Sequence, residues 1–258
     1  MNDVWLGDCL ELMQNIPAKS VDMILCDLPY GTTACKWDTV IPFEPLWTQY
    51  KRIIKDNGAI VLTASQPFTS ALVMSNIKMF KYEWIWEKTR PNGFAHSKNK
   101  PMKKHENVCI FSLGTTVHEK QSTKRMKYNP QDLIYNPTQR SQKSETRISD
   151  TFFAKRKSHK DRFIAYYTNY PTTVIKFQNN DRSLHPTQKP VALFEYLIKT
   201  YTNEGETVLD NCAGSGTTAI ACLNTNRNYI CIEKEPKYYE IINKRIEAHI
   251  KQQNTKLF

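Results

Sequence analysis

Over the first 90 residues, short apolar runs alternate with amphipathic stretches, the pattern of strand–helix–strand units laid around a parallel sheet. Val21–Cys26 reads as a buried strand. Ahead of it, Asp8 stands where it caps a helix whose Leu10, Met13 and Ile16 share one face. Beyond it, residues 43–55 form a helical stretch stopped by Asn57-Gly58, and residues 59–64 form the next strand. Residues 68–76 read as a helix entered through Pro67, since a first helical turn tolerates proline. Residues 82–86 read as a strand, with one of Trp84 and Trp86 expected in the core and the other under a helix or an insertion. Between residues 88 and 170 the periodicity fails, except for a strand at 107–111. It returns as helices at 190–201, 217–223 and 237–250 and strands at 207–210 and 229–233, with no internal repeat. The pattern predicts an α/β fold, a doubly wound and mostly parallel sheet interrupted by an inserted region. The expected division is residues 1–113, an insertion at 114–170, and residues 171–258.

Charge sharpens that division. The 258 residues carry a net charge of +11, but residues 88–170 hold 18 basic and 6 acidic side chains, a net of +12, against 18 basic and 19 acidic elsewhere. A near-neutral core with one basic insertion reads as an enzyme carrying a nucleic-acid-contacting piece; a solvated loop is the competing reading. Tyr128, Tyr135, Phe152, Phe153, Tyr166 and Tyr167 interleave with base there, a mixture suited to phosphate contact with stacking. The candidates for phosphate contact are Lys124, Arg125, Lys127, Arg140, Lys155, Arg156 and Lys157. Seven cysteines, odd in number and without a C-x-x-C pair or a signal-peptide pattern, support neither a disulfide framework nor a cysteine zinc site. A reducing cytoplasm is the expected setting. Mean hydropathy is −0.58 and no apolar run approaches the roughly 18 residues of a membrane span, so none is expected.

Two motifs carry chemistry. Residues 208–218 run from an apolar strand through Asp210, Asn211, Cys212, Ala213, Gly214, Ser215 and Gly216 into a helix start at Thr217 and Thr218. Glycines let backbone approach a ligand closely, and free amides at a helix start favour an anionic group. Glu233, 23 residues beyond Asp210, ends the next strand where a carboxylate accepts both hydroxyls of a ribose. Ala219 stands where a dinucleotide motif has its third glycine, and no Gly-Lys-Ser/Thr follows, so neither a dinucleotide nor a triphosphate is signalled. The second motif, Asp27-Leu28-Pro29-Tyr30, directly follows the strand Val21–Cys26. Methylation of an exocyclic base amine needs two acceptors for its N–H groups while nitrogen pyramidalises toward an electrophilic methyl. A carboxylate and a backbone carbonyl ahead of proline supply them, and Tyr30 offers a face for an extruded base. His105 and Glu106 have no ligand-spaced partner, so no metal is expected, and the absence of a Pro-Cys pair speaks against cytosine C5 chemistry.

These residues give the chain a resemblance to the DNA amino methyltransferases that use S-adenosylmethionine. Asp27-Leu28-Pro29-Tyr30 resembles their D-P-P-Y motif and residues 210–218 their D-x-F-x-G-S-G-T-T motif. The order, with the catalytic motif first, the basic region in the middle and His185-Pro186-Thr187-Gln188-Lys189-Pro190 ahead of the glycine loop, is similar to the family's beta group. Gly31, Trp37-Asp38 and Gln66-Pro67-Phe68 resemble small phage-type adenine-specific members. The resemblance implies that Asp27, Leu28, Pro29 and Tyr30 form the catalytic motif. It also implies that Asp210, Cys212, Ala213, Gly214, Ser215, Gly216, Thr217 and Thr218 belong to the cofactor site with Asp27. Glu233 would hold the ribose, and Lys189 would approach the methionine carboxylate. Gly7-Asp8-Cys9-Leu10 is similar to a motif whose Asp reads the cofactor adenine, with helix capping the competing role of Asp8. Leu28 and Cys212 depart from the usual proline and aromatic. The expected activity is methylation of adenine N6 in double-stranded DNA, with cytosine N4, or a DNA-binding relative with a vestigial cofactor site, as alternatives. A homodimer and a restriction partner stay open.

Overall fold

The computed structural model describes residues 2–32, 38–117, 124–141, 162–179 and 188–255. In chain order the strands are β1 (Asn2–Leu6), β2 (Val21–Cys26), β3 (Ile54–Ala64), β4 (Phe80–Asn92), β5 (Lys103–Phe111), β6 (Ile134–Ser141), β7 (Arg162–Thr168), β8 (Val174–Phe177), β9 (Thr207–Asp210) and β10 (Asn228–Glu233). The helices are α1 (Cys9–Leu12), α2 (Phe43–Ile53), α3 (Phe68–Ser75), α4 (Val191–Tyr201), α5 (Thr217–Asn224) and α6 (Pro236–Thr255). The chain separates into two compact units, Met1–Asn129 with Thr173–Phe258, and Pro130–Thr172.

The first unit is built on one eight-stranded sheet in the order β1-β10-β9-β2-β3-β5-β4-β8. Strands β1, β10, β9, β2 and β3 run parallel, and β5 is antiparallel to both β3 and β4. All six residues of β2 are buried because both faces of the sheet are covered. Its side chains alternate between two cores. Met23 and Leu25 join a cluster with Leu193, Phe194 and Leu197 of α4, Ile220 of α5 and Ile242 of α6, while Ile24 and Cys26 join one with Met13, Trp47 and Tyr50 and with Leu72 of α3. Leaving β2, the chain goes to β3 on one side, whereas β9, β10 and β1 lie on the other. In open α/β sheets that reversal opens a crevice at the carboxyl ends of the strands, where ligands bind.

Several elements differ from their sequence pattern. Helix α2 stops at Ile53, and Asn57-Gly58 lies inside β3 instead of ending a helix. The reason is packing between strands: β2 and β3 shift register between Val21 and Met23, and a Cβ on Gly58 would stand 2.7 Å from the Asp22 carbonyl oxygen. Trp84 and Trp86, two residues apart, share one face of β4, and both are buried in the same core. The helix begun at Asp8 is a short α-turn that continues as a 3-10 turn, Met13–Asn15. Strands β1 and β8, whose apolar stretches are as short as Val4-Trp5-Leu6 and Val174-Ile175, are not set apart by the sequence pattern and lie at the two edges of the sheet, paired with β10 and β4. Residues 124–129 belong with the sheet: Met126 is buried in its core, Lys127 N–H donates to the Asn57 carbonyl and Asn129 N–H to that of Thr200. The second compact unit thus begins at Pro130, later than the sequence boundary at 114. Within it, β6 and β7 pair antiparallel and bring the exposed rings of Tyr135 and Tyr167 edge to face at 5.6 Å.

Candidate active site

Strands β2 and β9 are neighbours, with Met23 opposite Val208 and Ile24 opposite Leu209, so the two motifs leave the sheet side by side although far apart in sequence. A cavity of about 570 Å³ lies over their ends. Asp8, Cys9, Asp27, Leu28, Pro29, Tyr30 and Lys189 line it on the side of the first motif, and Asp210, Cys212, Ala213, Gly214, Ser215, Thr217 and Glu233 on the side of the second. Gly216 and Thr218 do not line it.

The glycine loop is shaped by its own hydrogen bonds. Asp210, 3% exposed, accepts the Cys212 N–H at 3.1 Å on one carboxylate oxygen and the Thr218 hydroxyl on the other, closing the turn between β9 and α5. Burial pushes its carboxyl up to about 7 despite these donors. Gly216 takes φ +77°, and a Cβ there would stand 3.0 Å from the Ile242 side chain, so its glycine serves the turn and the approach of α6. Glu233 Oε2 accepts the Gly214 N–H at 2.7 Å and Oε1 accepts the Glu235 N–H at 2.9 Å. Burial raises the Glu233 carboxyl above its ordinary value, and each oxygen keeps lone-pair capacity for a ligand hydroxyl. Asp8 Oδ1 caps α1 through the Leu10 N–H at 2.9 Å, and Oδ2 meets the Lys234 ammonium at 3.2 Å, so the capping role is realised at the cavity wall. The neighbouring Cys212 thiol and burial together raise the Cys9 thiol.

The first motif presents a carboxylate held on both sides. Asp27 Oδ1 accepts the Tyr30 hydroxyl at 2.7 Å and the Thr63 hydroxyl, and Oδ2 accepts the Lys189 ammonium at 2.6 Å. The Tyr30 ring stacks on Phe68 at 5.1 Å, and Lys189 Nζ lies 5.7 Å from its centroid. Leu28 is buried at 3% exposure, which anchors the motif in the core. Asp38, near in sequence, accepts the Gly31 and Thr32 N–H groups at 2.9 Å each and braces the loop. The Lys189 ammonium is thus committed to Asp27 and also lies 3.4 Å from Glu106. Thr63, Lys88 and Glu106 are site residues that the sequence reading missed. Thr63 and Lys88 lie within β3 and β4 with nothing in the local pattern to mark them, and Glu106, on β5, stands out in the sequence only as a metal-ligand candidate without a spaced partner.

The basic candidates separate. Lys127 is 16% exposed, ion-paired with Glu206 and 3.9 Å from Asp22, because its backbone is docked on β3; its charge is spent inside the first unit. Lys124 and Arg125 are exposed beside it in sequence. Arg140 lies on β6, opposite Phe163, and Lys155, Arg156 and Lys157 fall outside the described residues, as do His185, Pro186 and Thr187. Among the described residues no group of three acidic, histidine or cysteine side chains is placed to hold a metal, and no helix is long and apolar enough to cross a membrane.

Known proteins share this layout. The family described as DNA methylase, N6_N4_Mtase, matches residues 21–244. The chain is 26% identical over 260 residues to the Type II methyltransferase M.HpaI of Haemophilus parainfluenzae, covering 94% of this chain and 73% of that protein. It is 25% identical over 255 residues to the DNA adenine methyltransferase YhdJ of Escherichia coli (strain K12), covering 94% and 81%. Among solved structures, the M1.HpyAVI-SAM complex superposes with a TM-score of 0.60 at 23% identity, covering 95% of this chain and all of that one. The cytosine-N4-specific PvuII DNA methyltransferase superposes with a TM-score of 0.64 at 14% identity, covering 96% and 90%. At these identities the superpositions establish the fold.

Proposed function

Because this chain belongs to the N6/N4 DNA methylase family, we propose that it methylates the exocyclic N6 amine of an adenine flipped out of double-stranded DNA. It is an S-adenosylmethionine-dependent DNA methyltransferase; the choice of adenine is our reading. One observation carries it: a buried-edge carboxylate, Asp27, shares a single cavity with Glu233 and the glycine loop.

The residues present fit the cofactor. The cavity volume lies within the range of small-molecule sites, the loop backbone lies open along it, and Glu233 is held by two amides with lone pairs to spare. Bound S-adenosylmethionine supplies an electrophilic methyl on a sulfonium centre. Glu233 would accept the ribose hydroxyls, and Gly214, Ser215 and Thr217 would line the methionine portion. Asp27 and the Leu28 carbonyl, set ahead of Pro29, would accept the two N–H groups of the target amine as its nitrogen turns tetrahedral. Tyr30 has two duties in this reading. Its hydroxyl orients Asp27, and its ring edges the space an extruded base enters.

Adenine is favoured by the carboxylate that opens the Asp27-Leu28-Pro29-Tyr30 motif, since the resemblance associates Asp there with adenine and Ser more often with cytosine. YhdJ, named an adenine methyltransferase, supports the same choice, and the likeness to the PvuII enzyme keeps cytosine N4 as the second reading. Labelled methyl from the cofactor, incubated with DNA of mixed sequence and followed by digestion to nucleosides, tests this directly. N6-methyldeoxyadenosine is expected. Label in N4-methyldeoxycytidine alone would transfer the assignment to cytosine, and no labelled nucleoside at all would refute both.

A further inference from the structure

Four ionisable side chains from four parts of the chain meet at the cavity wall. Asp27 follows β2, Lys88 is on β4, Glu106 is on β5 and Lys189 precedes α4. All four line the cavity. The Lys189 ammonium lies 2.6 Å from Asp27 Oδ2 and 3.4 Å from Glu106 Oε2, while Lys88 is ion-paired with Glu106 Oε1. Side-chain exposures are 22% for Asp27, 12% for Glu106, 7% for Lys88 and 6% for Lys189. Glu106 Oε2 is buried and has no hydrogen-bond partner among the described residues beyond that ionic approach.

We propose that Glu106 is a positioning residue for methyl transfer, acting through Lys189 to hold the Asp27 carboxylate in the orientation that receives the target amine. The inference rests on the methyltransferase reading and deepens it. Buried ion pairs seldom stabilise a fold more than well-packed apolar side chains of similar size, so four charges at the wall of one cavity point to a use there. The geometry supplies that use. Tyr30 and Thr63 restrain one oxygen of Asp27 and Lys189 the other, so the carboxylate plane is set only while the ammonium stays in place. Nothing else described restrains Oδ2. Glu106 supplies the second anion that keeps the lysine there, and Lys88 balances Glu106. Burial works against the charge on Lys189, yet Asp27 and Glu106 together raise its titration above the ordinary lysine value. A misplacement of the acceptor by about 1 Å is enough to cost on the order of a hundredfold in rate.

The test compares Glu106→Gln and Glu106→Asp with the wild-type chain in single-turnover methylation of DNA, in binding of S-adenosylmethionine, and in a nitrogen-15 NMR titration of the Lys189 ammonium. The groups that face Lys189 in that titration are Asp27 and Tyr30 after β2, Lys88 on β4, and Lys103 and Glu106 on β5. In Glu106→Gln the single-turnover rate should fall about ten- to a hundredfold with cofactor affinity within about twofold. Lys189 should titrate at lower pH, and Glu106→Asp should recover part of both. If the glutamine variant does not fold, Glu106→Gln/Lys88→Met removes the anion with its cation; the single-turnover rate should fall as in the single variant, and that rate is then the deciding readout, because the two charge losses act on Lys189 in opposite directions. A Lys189 titration unmoved by loss of Glu106 overturns the proposal, and that readout needs no turnover. A wild-type rate in the glutamine variant overturns it as well while leaving the methyltransferase reading intact; that reading fails only if the wild-type chain labels no nucleoside.

Discussion

At the scale of single residues, the proposed function assigns one carboxylate, Asp27, to the substrate and another, Glu233, to the cofactor. Asp27 is restrained by hydroxyls and an ammonium, Glu233 by two backbone amides, and the two differ in what they leave free. Asp27→Ala should therefore abolish methyl transfer and still bind S-adenosylmethionine. Glu233→Ala loses charge-assisted hydrogen bonds of about 1.5–3 kcal/mol, so cofactor affinity should fall roughly ten- to a hundredfold. Calorimetric titration of both variants separates the roles, and equal losses of cofactor binding would contradict the division. Tyr30 shows why residue type alone is a partial guide. An aromatic after proline suggests a stacking face, but only the fold shows its hydroxyl on Asp27 and its ring on Phe68.

At the scale of elements, the turn from β9 to α5 contains a charge that folding disfavours. Burial raises the Asp210 carboxyl from an ordinary 3.8 to about 7. Below about pH 4 the group is protonated in both states and contributes no difference. As pH rises from about 4 to about 7 the unfolded chain ionises while the folded chain holds its proton, and folding stability falls by at most about 1.4 kcal/mol per pH unit. Above that window the loss is constant. Asparagine still accepts from the Cys212 N–H and can donate to the Thr218 oxygen. Asp210→Asn should thus gain stability relative to wild type between pH 5 and pH 7.5, about the span of that window, as read by urea unfolding. A stability difference independent of pH would show that the folded carboxyl is ionised throughout.

At the scale of the whole molecule, the basic excess is a property of one stretch of sequence, and its members do different work. Lys127 is already paired with Glu206. If the remaining charge serves DNA, log affinity should fall linearly with log salt, at a slope of about −0.9 per phosphate neutralised. Replacing Lys155, Arg156 and Lys157 together by alanine should flatten the slope by up to about three units if all three meet phosphate, with cofactor affinity unchanged. Lys127→Ala should leave the slope alone and lower thermal stability instead. Salt-dependent binding isotherms distinguish the cases, and a wild-type slope in the triple variant would return that run to an ordinary solvated surface.

The sequence by itself determined the parts whose cause is local. The apolar run of β2, the cap at Asp8, the glycine turn after β9 and the carboxylate closing β10 are set by neighbours a few residues away, and each appears where the pattern puts it. The two motifs and their order were legible for the same reason. Tertiary structure decided what depends on pairing across the sheet. It placed β9 beside β2 so that Asp27 and the glycine loop face one cavity, and it drew Asn57-Gly58 into β3. It also made edge strands of β1 and β8, whose hydrogen bonds come from a neighbour rather than from their own composition. Glu106 is weighed in the sequence only as a metal ligand and set aside for want of a spaced partner, because its meaning lies in Lys88 and Lys189, brought to it from distant segments by strand order. Lys127 was read as a phosphate contact because charge is visible along a chain, while the carboxylate that neutralises it becomes visible only in space.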